Sequence, residues 1–330
     1  MPIILGIEST AHTFGIGIVK NGKILSNVKD MYTTESGGII PNDSARHHKE
    51  IAENIYLRAL EEAKIDEKDI EGIAFSQGPG LQPCLLEGIR FAKALCLKLD
   101  KPLIPVNHCV AHLEVGKITG AKDPVLLYCS GANTQVIAYA AGKYRIFGET
   151  LDTGVGNFID SFARYAGIGF PGGPKIEELA KKSKNYIELP YRVKGMDVAF
   201  SGILTNLKQK LEKKEIPLED LAYSLQETVF AMLIETAERA LAHTEKKELL
   251  LGGGVACNSR LQEMAQLMCK ERGAKCFVPP RPLLVDNGAM IAYLGEIMFK
   301  AKLGVKPKDL DGVDILSKRR TDEVEVRWRK

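Results

Sequence analysis

Residues 107–114 read NHCVAHLE, with His108 and His112 four positions apart. Residues i and i+4 share one face of a helix, so both imidazoles can be aimed at a common point, as a metal ion requires. The zinc-protease helix H-E-x-x-H adds a glutamate beside the first histidine as general base. Here Cys109 holds that place, and Glu114, two residues past His112, falls on a different side of the helix. Peptide hydrolysis is therefore a weak reading, and the rest of the ligand set must come from elsewhere in the chain.

What must position these histidines is a pattern of elements that occurs twice. The first half opens with strand-like IILGIES, FGIGIV and KILSNVKD, the last two joined at the hairpin signal Asn21-Gly22. The second half opens with VLLYCSG, TQVIAYA and YRIFGET, turning near Gly142. Each triplet runs into a helical stretch, SARHHKEIAENIYLRALEEAK or NFIDSFARYAG. In the second half further helices follow from about 174 to 245. The halves then realign: EGIAFSQGPG with KELLLGGGVA, LLEGIRFAKALCLKL with SRLQEMAQLMCKERG, PLIPVNH with AKCFVPP, and HCVAHLEVGKI with DNGAMIAYLGEIMFKA. Each half reads βββαβαβα, an α/β fold duplicated about a cleft. The boundaries expected are 1–122 for the first half, 123–300 for the second with its helical insertion, and 301–330 for a C-terminal segment packing back on the first half.

Hairpin tips meeting across such a cleft carry small and hydroxyl residues, Glu8-Ser9-Thr10-Ala11 in one half and Ser130-Gly131-Ala132-Asn133-Thr134 in the other. Small residues let backbone approach a ligand, and N–H and hydroxyl groups suit phosphate oxygens. A third glycine cluster, GGGVACNSR at 252–260, ends a strand and opens a helix, a common place for a base, ribose or phosphate. It is neither G-x-G-x-x-G nor a P-loop, which disfavours Rossmann enzymes and P-loop NTPases. The duplication places VDNGAM opposite the two histidines, so Asp286 can face them from the other wall. Tyr128, on the strand that opens the second half, can add a phenolic oxygen. Two nitrogens and two oxygens suit zinc or iron. The alternative is a core histidine and an Asp286 that merely caps its helix.

Bulk properties narrow the class. The 330 residues are 45% apolar and 26% charged with a formal charge of +3, an ordinary globular balance that marks no nucleic-acid stripe. The basic, mixed-sign ending LSKRRTDEVEVRWRK reads as solvated surface. Seven cysteines without a C-x-x-C pair fit a reducing compartment. MPIILGIEST shows no cationic leader, and no apolar run approaches the ~18 residues of a membrane span. The expectation is a soluble cytoplasmic protein with no membrane partner.

GIESTAHT, FSQGPGL, VNHCVAH, SGANTQ, GETLD, FPGGPKIEELA, VKGMDVAFSG, GGGVACNSRL and VDNGAMIAY, in this order, resemble the archaeal and eukaryotic tRNA threonylcarbamoyl-transferring enzymes. That family, once labelled as O-sialoglycoprotein endopeptidases, provides the catalytic subunit of the KEOPS complex. The resemblance implies the actin/sugar-kinase/Hsp70-like (ASKHA) fold. It implies transfer of a threonylcarbamoyl group from threonylcarbamoyl-adenylate to N6 of the adenosine 3′ to the anticodon, in tRNAs reading ANN codons. By position it implies metal ligands at His108, His112, Tyr128 and Asp286. Substrate contacts fall on Tyr128, Cys129, Ser130, Gly131, Ala132, Asp160, Gly173, Glu177 and Asn258. One transition metal, iron or zinc, is implied as a Lewis acid, with Mg²⁺ where a nucleotide is bound. The implied partners are tRNA, a small Bud-type kinase, a dimerising subunit and a regulatory subunit. No general base is legible; His12, near the first hairpin tip, is a candidate. The chain departs from the family's habit at Ala132 (commonly glycine), Cys129 (commonly valine) and Gln82. Rival readings are an ATP-hydrolysing or sugar-kinase-like protein on the same fold, which would use Mg²⁺ through carboxylates and waters, and a non-catalytic scaffold subunit.

Overall fold

The computed structural model describes residues 1–34 and 38–329. The first half is β1 (Ile3–Glu8), β2 (Thr13–Lys20), β3 (Lys23–Met31), α1 (Pro41–Ala63), β4 (Gly72–Gly78), α2 (Gln82–Leu99), β5 (Leu103–Asn107) and α3 (His108–Gly116). The second half repeats the order with β6 (Val125–Cys129), β7 (Thr134–Ala140), β8 (Lys143–Glu149) and α4 (Val155–Tyr165). It is then interrupted by α5 (Gly173–Ala180), the short hairpin β9 (Val193–Lys194) and β10 (Asp197–Val198), α6 (Ser201–Lys213) and α7 (Leu218–Thr244). It resumes with β11 (Glu248–Gly252), α8 (Ser259–Glu271), β12 (Lys275–Phe277), a short α9 (Arg281–Leu284) and α10 (Gly288–Lys300). The sheets have equivalent orders, β3-β2-β1-β4-β5 and β8-β7-β6-β11-β12, antiparallel at the hairpins and parallel thereafter. The short hairpin β9–β10 and the four-residue α9 are additions the sequence pattern did not suggest.

Strand alternation sorts side chains into three apolar layers. On β1, Ile3, Leu5 and Ile7 pack outward under α1 and α2, while Ile4 faces inward. On β6, Val125, Leu127 and Cys129 pack under the inserted helices, while Leu126 and Tyr128 face inward. The inward faces enclose a middle layer made by α3 and α10, the last helices of the two halves.

These last helices are crossed. Helix α10, second-half by sequence, lies on the first sheet, close enough that a Cβ on Gly6 would stand 2.1 Å from the Ala292 nitrogen and one on Gly17 2.2 Å from the Ala289 nitrogen. The alternation F-G-I-G-I in β2 is therefore functional packing: isoleucines under α1, glycines under α10. Helix α3 in turn packs its Gly116 against Leu250 of β11 in the second sheet. Interlocking of this kind fixes the two halves relative to each other at the place where α3 and α10 begin.

Residues 301–317 run along the first half, with Leu103 and Val305 exchanging both backbone hydrogen bonds at 2.8 Å and Leu316 N–H donating to Gln77 O. Beyond that the segment crosses to the second half. Arg320 pairs with Glu149 at 3.0 Å, and the Arg329 guanidinium sits 4.3 Å from the Tyr139 ring centroid. The tail thus touches both halves. Among the described residues, no helix is long and apolar enough to cross a membrane.

Candidate metal centre

Both turns that carry the candidate ligands are set by asparagine caps. Asn107 accepts from Val110 N–H at 3.1 Å, so α3 starts at His108 and holds both histidines one turn apart on its inner face. In the second half the cap is Asn287, accepting from Met290 N–H at 3.0 Å and donating to Val285 O at 2.8 Å. Asp286 is therefore not a cap, and its carboxylate is available to the cleft. Lys29 Nζ holds the Asp286 carbonyl at 3.1 Å.

The side chains converge. His112 Nε2 lies 3.3 Å and His108 Nε2 3.4 Å from the same Asp286 oxygen, Oδ1. One donor atom from each of the three residues lies within 4.8 Å of the others. The Tyr128 hydroxyl is 3.0 Å from His108 Nε2, and its ring centroid is 4.9 Å from that of His112. His108, His112 and Tyr128 are buried; Asp286 is open at the cleft side, 18% exposed.

A buried carboxylate not read from the sequence orients His108. Glu8, at the end of β1 and 0% exposed, lies 2.9 Å from His108 Nδ1. Its other oxygen accepts from Thr10 N–H at 2.7 Å and Thr10 Oγ1 at 2.5 Å. A carboxylate on Nδ1 leaves Nε2 directed into the cluster, the orientation a metal-bound imidazole needs. The clue was available: a glutamate closing an otherwise apolar strand has to be paired when it is buried.

Electrostatics favour positive charge here. Burial, the largest influence on His108, pulls its pKa down, but Glu8 and Asp286 outweigh it and raise it to about 9. Burial disfavours a charged Asp286, yet the two histidines beside it hold it well below the usual carboxylate range. His112 is lowered, chiefly by burial, and burial pushes the Tyr128 phenol far up. A proton on His108 between two carboxylates occupies the electrostatic role a bound cation would take over. The donor set, two imidazoles and a carboxylate with a neighbouring phenol, fits a transition metal.

A glycine-lined floor adjoins the cluster. Gly253, at φ +87°, lies so near the end of β6 that a Cβ would stand 2.3 Å from Cys129 O. Ser130 N–H bonds Asn133 O at 2.8 Å, and the Ser130 and Gly131 carbonyls accept from Gly156 and Asn157 N–H at 3.0 Å. That seats the 130–133 turn on the start of α4. Ala132 sits in this turn, exposed; the Cys129 side chain points into the outer core, leaving only its backbone toward the turn.

The remaining expected contacts gather around α4, α5 and α8. Asp160 accepts from Gly172 N–H at 2.8 Å; burial raises its pKa against the pull of that bond and of His12. Gly173 begins α5, with open space where a Cβ would be. Glu177 accepts from Ser259 N–H at 3.1 Å and Oγ at 2.6 Å. Asn258 caps α8 through its oxygen, at 2.9 Å from Arg260 N, while its amide donates to Gln226 at 2.8 Å. Glu177 retains a carboxylate oxygen and Asn258 one N–H for a ligand. His12 stands half-buried at the first hairpin tip, its ring 5.9 Å from and edge-on to Phe170 of the second half.

Glu114 is committed elsewhere: buried, it accepts from Lys117 Nζ at 2.7 Å and from Tyr144 OH. With Cys109 also buried, nothing on α3 can activate water as a protease glutamate does.

Comparison with known proteins identifies the family and the fold. Residues 23–293 match the family model described as tRNA N6-adenosine threonylcarbamoyltransferase. A protein of that name from Thermococcus sibiricus is 56% identical over 326 residues, spanning 99% of this chain and 100% of its own length. Among solved structures, the fold is similar to Thermococcus kodakarensis HypF, with a TM-score of 0.66 at 16% identity over 94% of this chain and 49% of that one. It is also similar to ethanolamine utilization protein EutJ from Carboxydothermus hydrogenoformans, with a TM-score of 0.52 at 13% identity over 89% of this chain and 90% of that one. These structural likenesses bear on the fold alone, which is ASKHA-type.

Proposed function

The chain belongs to the tRNA N6-adenosine threonylcarbamoyltransferase family, and from that premise we propose how its cleft carries out the transfer. The acyl donor is threonylcarbamoyl-adenylate and the acceptor is N6 of the adenosine 3′ to the anticodon. The observation that carries this reading is the meeting of His108, His112 and Asp286 from both halves beside the 130–133 turn.

One metal ion, iron or zinc, would be held by His108, His112 and Asp286 with Tyr128 as a further donor, and would act as a Lewis acid toward an oxygen of the mixed anhydride. The chain's own groups do the rest. Ser130 and Asn133 N–H bond within the 130–133 turn, so the Gly131 and Ala132 N–H groups, with the positive ends of α3 and α10, would meet the phosphate charge that develops as AMP leaves. Asp160 and the free oxygen of Glu177 accept from ribose hydroxyls, and Asn258 reads a ribose or base edge. Gly173 lets the donor approach the backbone. An exocyclic amine is a weak base but needs little activation against a mixed anhydride. Holding it close to the carbamoyl carbon therefore supplies much of the rate. Mg²⁺ accompanies any bound nucleotide triphosphate rather than this cluster. The working partners are tRNA and the KEOPS-type subunits: a small Bud-type kinase, a dimerising subunit and a regulatory subunit.

The test is nucleoside analysis of tRNA after incubation with threonylcarbamoyl-adenylate, this chain and those subunits, with His112→Ala alongside. Threonylcarbamoyladenosine with wild type and its loss in the variant is the expected result. Equal product from both would detach the cluster from the reaction.

A further inference from the structure

We propose that α4 and the inserted helices α5 and α6 form a basic rim at the cleft mouth that grips the phosphate backbone of the RNA substrate beside the reacting adenosine; this rests on the transfer reaction above. The net charge of +3 conceals an uneven distribution. Residues 155–214 hold eleven lysines and arginines against six aspartates and glutamates, so the remainder of the chain is slightly acidic. Among the described residues, Lys181 is the single one of the eleven within ion-pair distance of a carboxylate. Cations left unpaired on one continuous segment, α4 to α6, are the electrostatic footprint expected of a polyanion site.

Their placement ties them to the site. Arg164 is exposed and one helical turn beyond Asp160 on α4, and its Nη1 lies 3.7 Å from where a Cβ of Gly38 would stand, so it spans the mouth to the first half. Lys175 is exposed two residues beyond Gly173. Lys208 of α6 sits 4.0 Å from the ring centroid of Tyr165, itself 51% exposed, joining α6 to the end of α4. Lys182 and Lys184 extend the run past the far end of α5. To bring N6 of a loop adenosine to the cluster, the nucleotide must be splayed into the cleft, and the phosphates on either side of it then lie against this mouth. Phosphate contacts of this type fix register and carry little sequence information, which suits an enzyme acting on several tRNAs.

The experiment titrates the full-length chain into a fluorescein-labelled anticodon stem-loop across a salt series, for wild type, Arg164→Gln, Lys175→Gln and Lys208→Gln. Lys247→Gln, exposed in the connection between α7 and β11, is the control. Each rim variant is expected to weaken binding several-fold and to lower the salt slope by about 1, with binding of a fluorescent AMP analogue unchanged. Unchanged affinity and slope in the rim variants, or an equal loss in the control, would overturn the rim. So would displacement of the RNA from wild type by polyglutamate at stoichiometric concentration, which would indicate an acidic protein as the natural occupant. The outcome for the transfer reaction separates cleanly: RNA binding by wild type without product would sink the reaction and spare the rim. Product formation with an unchanged KM for tRNA in all three variants would sink the rim alone.

Discussion

The last helices of the two halves occupy equivalent places in the duplication and have become different tools. Helix α3 begins with an asparagine cap and places two imidazoles on its first two turns. Helix α10 begins with the same kind of cap, but its ligand, Asp286, precedes the cap, and its body is a smooth surface of Gly288, Ala289, Ala292 and Gly295. One helix presents two converging imidazoles and the other lies flat on a sheet. The lesson is that a symmetric backbone provides the convergence while the asymmetry of side chains provides the chemistry. Crossing the helices makes the site depend on both halves at once.

Removing a ligand should have the largest effect. His112→Ala should reduce transfer more than ~100-fold, beyond the ~10–100-fold usual for second-shell changes, and abolish stoichiometric metal; Asp286→Ala should match it. If only the α3 ligand matters, the two helices are not partners in one site. The next effect is on folding. Gly17→Ala puts a methyl 2.2 Å from the Ala289 nitrogen and should cost about 3 kcal/mol or more, because backbone must move. A urea midpoint within error of wild type would mean α10 does not need the flat sheet. Glu8→Gln keeps a hydrogen-bond acceptor on His108 but removes its charge, and should weaken metal affinity ~10–100-fold with little change in the unfolding midpoint of the metal-loaded protein.

The smallest effect concerns pH. In metal-free protein the His108 pKa is raised from 6.5 to about 9, so the folded state binds the extra proton. Its stabilising contribution is complete below about 6.5 and is lost as pH rises through about 9. His112 and His48 are shifted downward, so of the shifted histidines His108 alone acts in that window; the buried thiols of Cys96, Cys109 and Cys129, pushed up from 9.0, add to the loss only at its upper end. The melting temperature of apo wild type should fall between pH 6.5 and 9.5, and that of apo His108→Ala should fall less.

Much of this was legible beforehand, for reasons that are physical. The repeated strand and helix periodicities gave both sheets, and His108, His112 and Asp286 could be paired because the duplication set VDNGAM opposite NHCVAH. What escaped was whatever depends on three-dimensional crossing. Gly6 and Gly17 gave no sign of which helix they admit, since the helix is more than 270 residues away in sequence. Glu8 read as part of a phosphate-binding tip, and its role on His108 required knowing that β1 ends beneath α3. Asp286 could have been a cap until Asn287 was seen to take that role. The basic rim was hidden by averaging, because a net charge over the whole chain dilutes residues 155–214 with the slightly acidic rest.

The most direct test of the central claim, that donors from both halves form one centre, is elemental analysis with metal titration on purified wild type, His112→Ala and Asp286→Ala. Wild type is expected to hold about one transition-metal ion per chain and both variants to lose it, although their altered residues lie on opposite walls. Full metal content and unchanged affinity in Asp286→Ala would contradict it.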